Sequence, residues 1–447
     1  MHRRGHGRCG PVRSPLRREG GAATPDLDPL AARAAAKSPG GRRAKQERSE
    51  RTRGAIIDAV ISVLADVGVA GLTHRLVAQR SGASLAATTY YFESKQDMIV
   101  EASEALLRNH LADLARLAEQ APGVGAGAFR RFVARVAANG VGEDRTRTLA
   151  WCEIVLDAAR RPDCYGQTRT WYERLIRVWS QVARAYEAPY PAIAARFGSD
   201  LTLGALFHGL GLGLSAETLW ATLGGRIAAA ELFPPAPAEA ADKPRPRLSP
   251  RAAATRERIL EAAIGLLAAR GAAAVNYRAV ALEAGLTPGA PAYYFSSAKA
   301  LLGEAQVLLF SRSKARYREV MSSAFNGLDL AMMVELTAVI FQSEATEFGP
   351  LNLAAYAIWL QAAREPELRS LVQEALADLY RAWSSILLTV GAVNNGPEPL
   401  LVQYLFAGAQ IWAMTAGVTP SDLVNIRWRL RDDLTALAMG RHWIQSD

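Results

Sequence analysis

Apolar residues recur at three- and four-residue spacing through almost the whole chain, the mark of amphipathic helix. Ile56, Val60, Val63, Leu64 and Val67 set out one such face. Gly68 follows it, where a glycine closing a helix belongs. Thr73 is placed to cap a short helix holding Leu76, Val77 and Ala78. Gly82 allows a tight turn, and Ser84 caps a further helix running from Ala86 to Phe92. Helix, short capped helix, glycine turn, short capped helix is the order of a helix-turn-helix.

The pattern occurs twice. Residues 52–102 align without a gap onto 255–305 at an offset of 203, with 20 identities in 51 positions. Chance does not produce that over so short a span, so an internal duplication sets the architecture. In the second copy Gly271 ends the first helix and Asn276 caps the second. Gly285 makes the turn, and Thr287 is expected to cap the third helix with Pro288 at its first position. The repeat continues as LDAARRPD (156–163) and LQAAREPE (360–367), offset 204. A weaker match pairs Phe207 and Gly209 with Phe406 and Gly408, offset 199.

Two stretches break the helical period. Residues 1–43 are rich in Arg, Gly, Pro and Ala and read as a disordered basic tail. Residues 233–250 are Pro-rich and read as a semi-rigid linker. These breaks place a first helix-turn-helix domain at 44–101 and a helical domain at 102–232. The second copy follows as 251–304 and 305–447.

Charge changes the picture less than it first suggests. The formal net charge is +9, and residues 1–53 alone carry a surplus of +9. The remainder is balanced, so net charge does not argue for a nucleic-acid partner in the folded body. The tail either touches DNA phosphates or is a passive extension. Cys9, Cys152 and Cys164 are odd in number and match no metal spacing, which suits a reducing, cytoplasmic protein. No apolar run of membrane-spanning length stands out, and the N-terminus lacks a secretory core. The run LTLGALFHGLGLGL (201–214) reads as a buried helix with small residues at close contacts, not as a nucleotide loop, because no strand precedes it. His110 and His208 stand alone, so no metal or other cofactor is expected. No nucleophile–base pair or carboxylate pair points to an enzyme.

Both 51-residue stretches resemble the DNA-binding domain of the TetR family of regulators. The residues that carry the likeness are a TR-x-x-I start, the glycine after the first helix, VA-x-x-x-G-x-[ST], and YYF followed by Ser and a nearby Lys. The resemblance implies an all-α fold of two tandem units, each a three-helix helix-turn-helix domain followed by a helical effector-binding and dimerisation domain. It implies that Thr73 and Arg75 start a helix crossing the DNA backbone, and that Ser84, Leu85, Ala86, Ala87, Thr88 and Thr89 face the groove. Tyr90, Tyr91 and Lys95 then contact phosphates or buttress the helix, one tyrosine of each pair packing inward. The matching positions in the second copy are Asn276, Arg278, Thr287, Pro288, Gly289, Ala290, Ala292, Tyr293, Tyr294 and, one residue displaced, Lys299. Phe92, Phe295, Val77, Ala78, Val280 and Ala281 are core.

Neither reading helix offers the Arg, Asn or Gln of bidentate base readout, so shape and thymine-methyl contacts are expected. The second head departs from the pattern at Pro291, expected near the fourth helical position, and at Ala298 in the place of Lys95. The expected partners are an operator of imperfect palindromic form in double-stranded DNA and a small apolar effector. The two copies pair within one chain, or two chains pair; a Pro-rich linker of this length spans roughly 55 Å, enough for the former. Repression released by the effector is the family default. The alternative is a helical small-molecule binder acting through a partner protein. The nine tryptophans are core or pocket wall, and no ligand residue is singled out.

Overall fold

In the computed structural model the described residues are 39–120, 123–224, 229–233, 248–322, 327–392 and 397–439. Packing divides the chain between Thr52 and Arg53. Residues 39–52 form the opening turns of a helix, with exposed i,i+4 pairs such as Arg43–Glu47. The expected tail therefore ends earlier than residue 43, and residues 1–38 lie outside the described residues.

All described regular structure is helical. The first copy comprises α1 (Pro39–Gly71), α2 (His74–Ser81), α3 (Leu85–Tyr91), α4 (Lys95–Glu119), α5 (Ala126–Val141), α6 (Arg145–Ala159), α7 (Tyr165–Ala185), α8 (Pro191–Leu212), α9 (Ala216–Leu223) and α10 (Ala229–Leu232). The second comprises α11 (Pro250–Arg270), α12 (Tyr277–Glu283), α13 (Ala290–Tyr294), α14 (Ala298–Ser322), α15 (Leu330–Ala345), α16 (Gly349–Arg364), α17 (Arg369–Thr389), α18 (Glu398–Ala416) and α19 (Pro420–Ala438). α4 and α14 run unbroken through residues 101–102 and 304–305, so one rigid helix belongs to both parts of each copy. The linker expected to 250 ends sooner: Ser249 accepts a hydrogen bond from Ala252 N and Pro250 opens α11. Residues 234–247 lie outside the described residues.

Ile56, Val60, Val63 and Leu64 are buried as expected, whereas Val67 is 37% exposed. The reason is Gly68, whose φ of 68° takes the chain out of helical register one residue later. Lys45–Gly71 has the length and hydropathy of a membrane span. Its apolar face lies in the protein core, which is how a core helix passes such a test.

The arginine of the TR-x-x-I start has a structural task in both copies. Arg53 pairs with Glu101 at 2.6 Å and lies over the Phe92 ring; Arg256 pairs with Glu304 at 2.8 Å and lies over Phe295. Each brace ties the first helix of a head to the long helix leaving it.

The two copies pack on each other through α8 and α18. Gly204 lies against the Tyr404 carbonyl, and Gly408 against the Asp200 carbonyl, so closely that a Cβ at either glycine would overlap the facing backbone. The contact is reciprocal: residue i meets j and the equivalent of j meets the equivalent of i, as across a two-fold axis. Gly204 and Gly408 are 204 apart, as are Asp200 and Tyr404. This corrects the weak match at offset 199. The small residues expected at close contacts in 201–214 are found there: Gly204 meets the α18 backbone, Gly209 the Val141 side chain and Gly211 Trp359 of the other copy.

Candidate functional site

The caps expected of the first head are present. Thr73 Oγ1 accepts from Leu76 N at 3.2 Å, and Ser84 Oγ accepts from Ala87 N at 3.0 Å. Gly82 turns the chain at φ 69°. On α3, Ser84, Leu85, Ala86, Thr89 and Tyr90 are exposed and Ala87 is half-buried. Thr88 is the correction: it is fully buried, its hydroxyl donating to Leu85 O at 2.8 Å. In so short a helix the position one turn after the cap faces the supporting helices.

The second head differs at its reading helix. Asn276 Oδ1 accepts from Ala279 N at 3.0 Å, and Gly285 turns at φ 62°, both as expected. Thr287 does not cap, and Pro288 is not the first helical residue. Instead Ala290 N donates to Thr287 O at 3.0 Å in a turn, and α13 starts at Ala290. Pro291 is then at the second helical position, not the fourth, where its missing N–H has no intrahelical partner to lose. The start moves because a proline bars α geometry in the residue before it except at the very opening. Pro291 is buried, at the position Thr88 holds in the first copy. Thr287, Pro288, Gly289, Ala292 and Tyr293 are exposed, and Ala290 is half-buried.

The tyrosine pairs resolve identically. Tyr90 is 79% exposed and Tyr293 84%, while Tyr91 and Tyr294 pack against the core. Each pair meets edge-to-face, at 5.2 and 5.1 Å between centroids. Arg75 and Arg278 are exposed beside these faces, with no ion pair among the described residues. The lysines are engaged elsewhere. Lys95 Nζ reaches the Ala70 carbonyl at 3.5 Å, and burial lowers its pKa. Lys299 lies 3.3 Å from Glu367 and 3.6 Å from Glu365, and the hydrogen bond to Glu367 raises its pKa. Lys95 thus braces α4 against the end of α1 within the first head, while Lys299 ties the second head to the segment after α16.

Sequence reasoning missed a pair of arginines that cross between copies. Arg364, ending α16, donates to Ala65 O at 2.6 Å and Leu64 O at 3.2 Å in α1. Arg160, following α6, donates to Ala268 O at 2.7 Å and Leu267 O at 3.2 Å in α11. Each guanidinium meets carbonyls near the end of a helix, where the macrodipole is negative and intrahelical donors run out. The signal was present in the repeated LDAARRPD and LQAAREPE segments, both of which contain this arginine. Nothing in the segments tells that it reaches the other copy.

A cavity of about 390 Å³ lies within the second copy. Leu309, Tyr317, Ile340, Tyr356, Trp383 and Phe406 supply much of its wall, and His208 enters from the first copy. In the first copy Phe129, Phe132, Trp179 and Tyr186 form an aromatic cluster with centroids between 5.4 and 6.3 Å apart. Their repeat equivalents are Met333, Leu336, Trp383 and Val390, so three rings of the first copy are absent from the second.

The family model for bacterial regulatory proteins of the tetR family matches residues 259–305. The tetracyclin repressor-like C-terminal domain matches twice, at 124–232 and 328–439.

The chain belongs to the TetR family.

Its regulatory domain is present in duplicate by that match, while the N-terminal match falls on the second head alone. The first TetR head is tied to the second by the internal repeat and by its caps. Among solved structures, a transcriptional regulator from Saccharomonospora viridis in complex with choline is 21% identical, with TM-score 0.36, over 41% of this chain and 96% of its own. A TetR-family regulator from Rhodococcus sp. is 19% identical, with TM-score 0.36, over 42% and 99%. The multidrug binding protein EbrR complexed with imidazole is 29% identical, with TM-score 0.29, over 39% and 94%. No curated protein matches significantly.

Proposed function

We propose that this protein is a cytoplasmic, non-enzymatic transcriptional regulator whose two heads read one operator as an internal pair, and that a small molecule in the second-copy cavity releases it. The observation that carries this reading is the reciprocal seating of Gly204 and Gly408. It joins two copies of one fold through equivalent helices, α8 and α18, so each chain presents two heads.

The reading surface is the exposed side of α2–α3 and α12–α13, domains proposed at 44–101 and 251–304. Tyr90 and Tyr293 meet phosphates, with Arg75 and Arg278 beside them. The shorter α13 reads fewer positions than α3, so the operator is an imperfect palindrome. Regulation follows from α16. Tyr356 and Trp359 line the cavity, and one turn later the same helix ends at Arg364, which grips the first head. A ligand that shifts α16 moves that head relative to the other, and the spacing fit to DNA is lost.

Selection of genomic fragments bound by the purified protein, followed by mass measurement of the complex, tests this. The expected result is one chain per asymmetric site. Replacing Arg75 or Arg278 by Ala should weaken binding across sequences and lower the salt slope by about one. No selected fragment, or two chains per site, overturns the reading; the former would favour regulation through a partner protein.

A further inference from the structure

The cavity described above is not a simple apolar pocket. Four buried polar side chains on its wall have an atom without a hydrogen-bond partner: His208 Nε2, Gln306 Oε1, Trp359 Nε1, and both amide atoms of Gln403. They come from α8, α14, α16 and α18. The residues are 1%, 3%, 9% and 2% exposed. A buried polar atom left unpaired costs about 1–3 kcal/mol, so four converging on one space call for a polar occupant.

Their chemistry is readable. His208 Nδ1 donates to Gly204 O at 2.8 Å, which leaves Nε2 as an acceptor. Burial lowers the imidazole to about 4, so the ring is neutral at ordinary pH. Gln306 Oε1 is a second acceptor and Trp359 Nε1–H a donor. Gln403 supplies one of each. Charged wall residues are satisfied already. Arg316 binds Glu344 at 2.8 and 3.0 Å, and Asn352 donates to the same carboxylate at 2.7 Å. Lys314 pairs with Asp378 at 2.7 Å, and Arg318 is exposed. No unpaired buried charge faces the space.

The first copy lacks this set. At its equivalent positions Gln306, Trp359 and Gln403 are replaced by Ser103, Val155 and Ser199. The counterpart of His208 is Trp412, whose larger ring packs on Tyr172 at 4.4 Å between centroids.

We infer that the chain binds a single ligand, in the second copy, and that this ligand is uncharged, with an apolar body and hydrogen-bond donors held by His208 of the first copy and by Gln306 and Gln403 of the second. The inference rests on reading the cavity as the effector site. It adds the ligand's class, its stoichiometry, and a contact from the other half.

Calorimetry on the full chain with three matched probes tests it: 2-naphthol, 2-naphthoate and 2-naphthylmethylammonium. Naphthol should bind at one per chain, and the anion and cation at least about tenfold more weakly, since either buries a charge without a partner. His208→Leu and Gln403→Leu should each weaken naphthol about three- to tenfold, the worth of one hydrogen bond. Both should leave naphthalene itself unaffected, which shows that the cavity persists in a folded protein. Two naphthols per chain, equal or tighter binding of a charged probe, no naphthol binding, or naphthol affinity unchanged in both variants overturns the proposal. Operator binding measured on the same samples separates the claims. No operator binding by the ligand-free chain, with naphthol binding intact, sinks the regulator reading and leaves the site standing.

Discussion

Arg364 of the second copy binds Glu153 of the first at 2.7 Å, with the side chains 10% and 14% exposed. Glu153 also accepts from Val69 N at 3.4 Å and lies under Gly68, where a Cβ would stand 2.9 Å from its carboxylate. The equivalent of Glu153 in the second copy is Ala357. The first head is thus clasped by Arg364 together with the buried Glu153 carboxylate, and the second by Arg160, with the exposed Lys299 pairs to Glu365 and Glu367 beside it. Removing one partner of a buried pair strands the other. Arg364→Ala should therefore cost about 3 kcal/mol. Hydrogen exchange should accelerate in α1–α3 and remain slow in α11–α13. Arg160→Ala should give the opposite pattern with a smaller loss. Uniform acceleration in both heads would contradict the cross-clasp.

Tyr90 and Tyr293 contribute little to folding because their rings are in solvent. Their replacement by Ala should leave thermal stability within about 0.5 kcal/mol and reduce operator affinity about tenfold or more. Tyr91→Ala and Tyr294→Ala should lower stability, since those rings pack on the core. Melting and DNA titration of the four variants check this division.

Gly408 tolerates no side chain, because the Asp200 carbonyl occupies the place of its Cβ. Gly408→Val should force α8 and α18 apart, at a cost of about 3 kcal/mol or more. Calorimetry should then show the two halves unfolding separately. A single transition at the native temperature would refute the close approach.

Asp433 is 5% exposed and faces Arg429, Asp200, Asp432 and Arg196. Burial raises its carboxyl to about 7, Arg429 offsetting only part of the shift. An unfolded aspartate titrates at about 3.9. Between about pH 4 and pH 7 the folded chain keeps a proton that the unfolded chain has lost, so this group's contribution falls as pH rises and levels off above 7. Asp433→Asn should remove that slope: it should match the parent near pH 4 and melt higher at pH 8. Equal melting temperatures at pH 8 would exclude the shift.

The duplication, the all-helical class and most of each head were legible in the sequence because they rest on local rules. Caps at Thr73, Ser84 and Asn276 and the turns at Gly82 and Gly285 need only neighbours within four residues. The same locality misled at Thr287 and Pro288, where a good capping residue and a proline suggested a helix start that Pro291 forbids. It misled at Thr88 as well, whose inward orientation depends on how α3 seats against its supports.

By itself the sequence determined the order of elements, their doubling, and the family they belong to. Periodicity, caps and a fixed repeat offset carry that information along the chain. Tertiary structure alone decided which tyrosine faces out and which glycines meet, and that Arg160 and Arg364 cross between copies. It also decided that His208 opens into the other half's cavity. Those relations join residues roughly two hundred positions apart or set the rotation of one helix against another, and no local spacing encodes either.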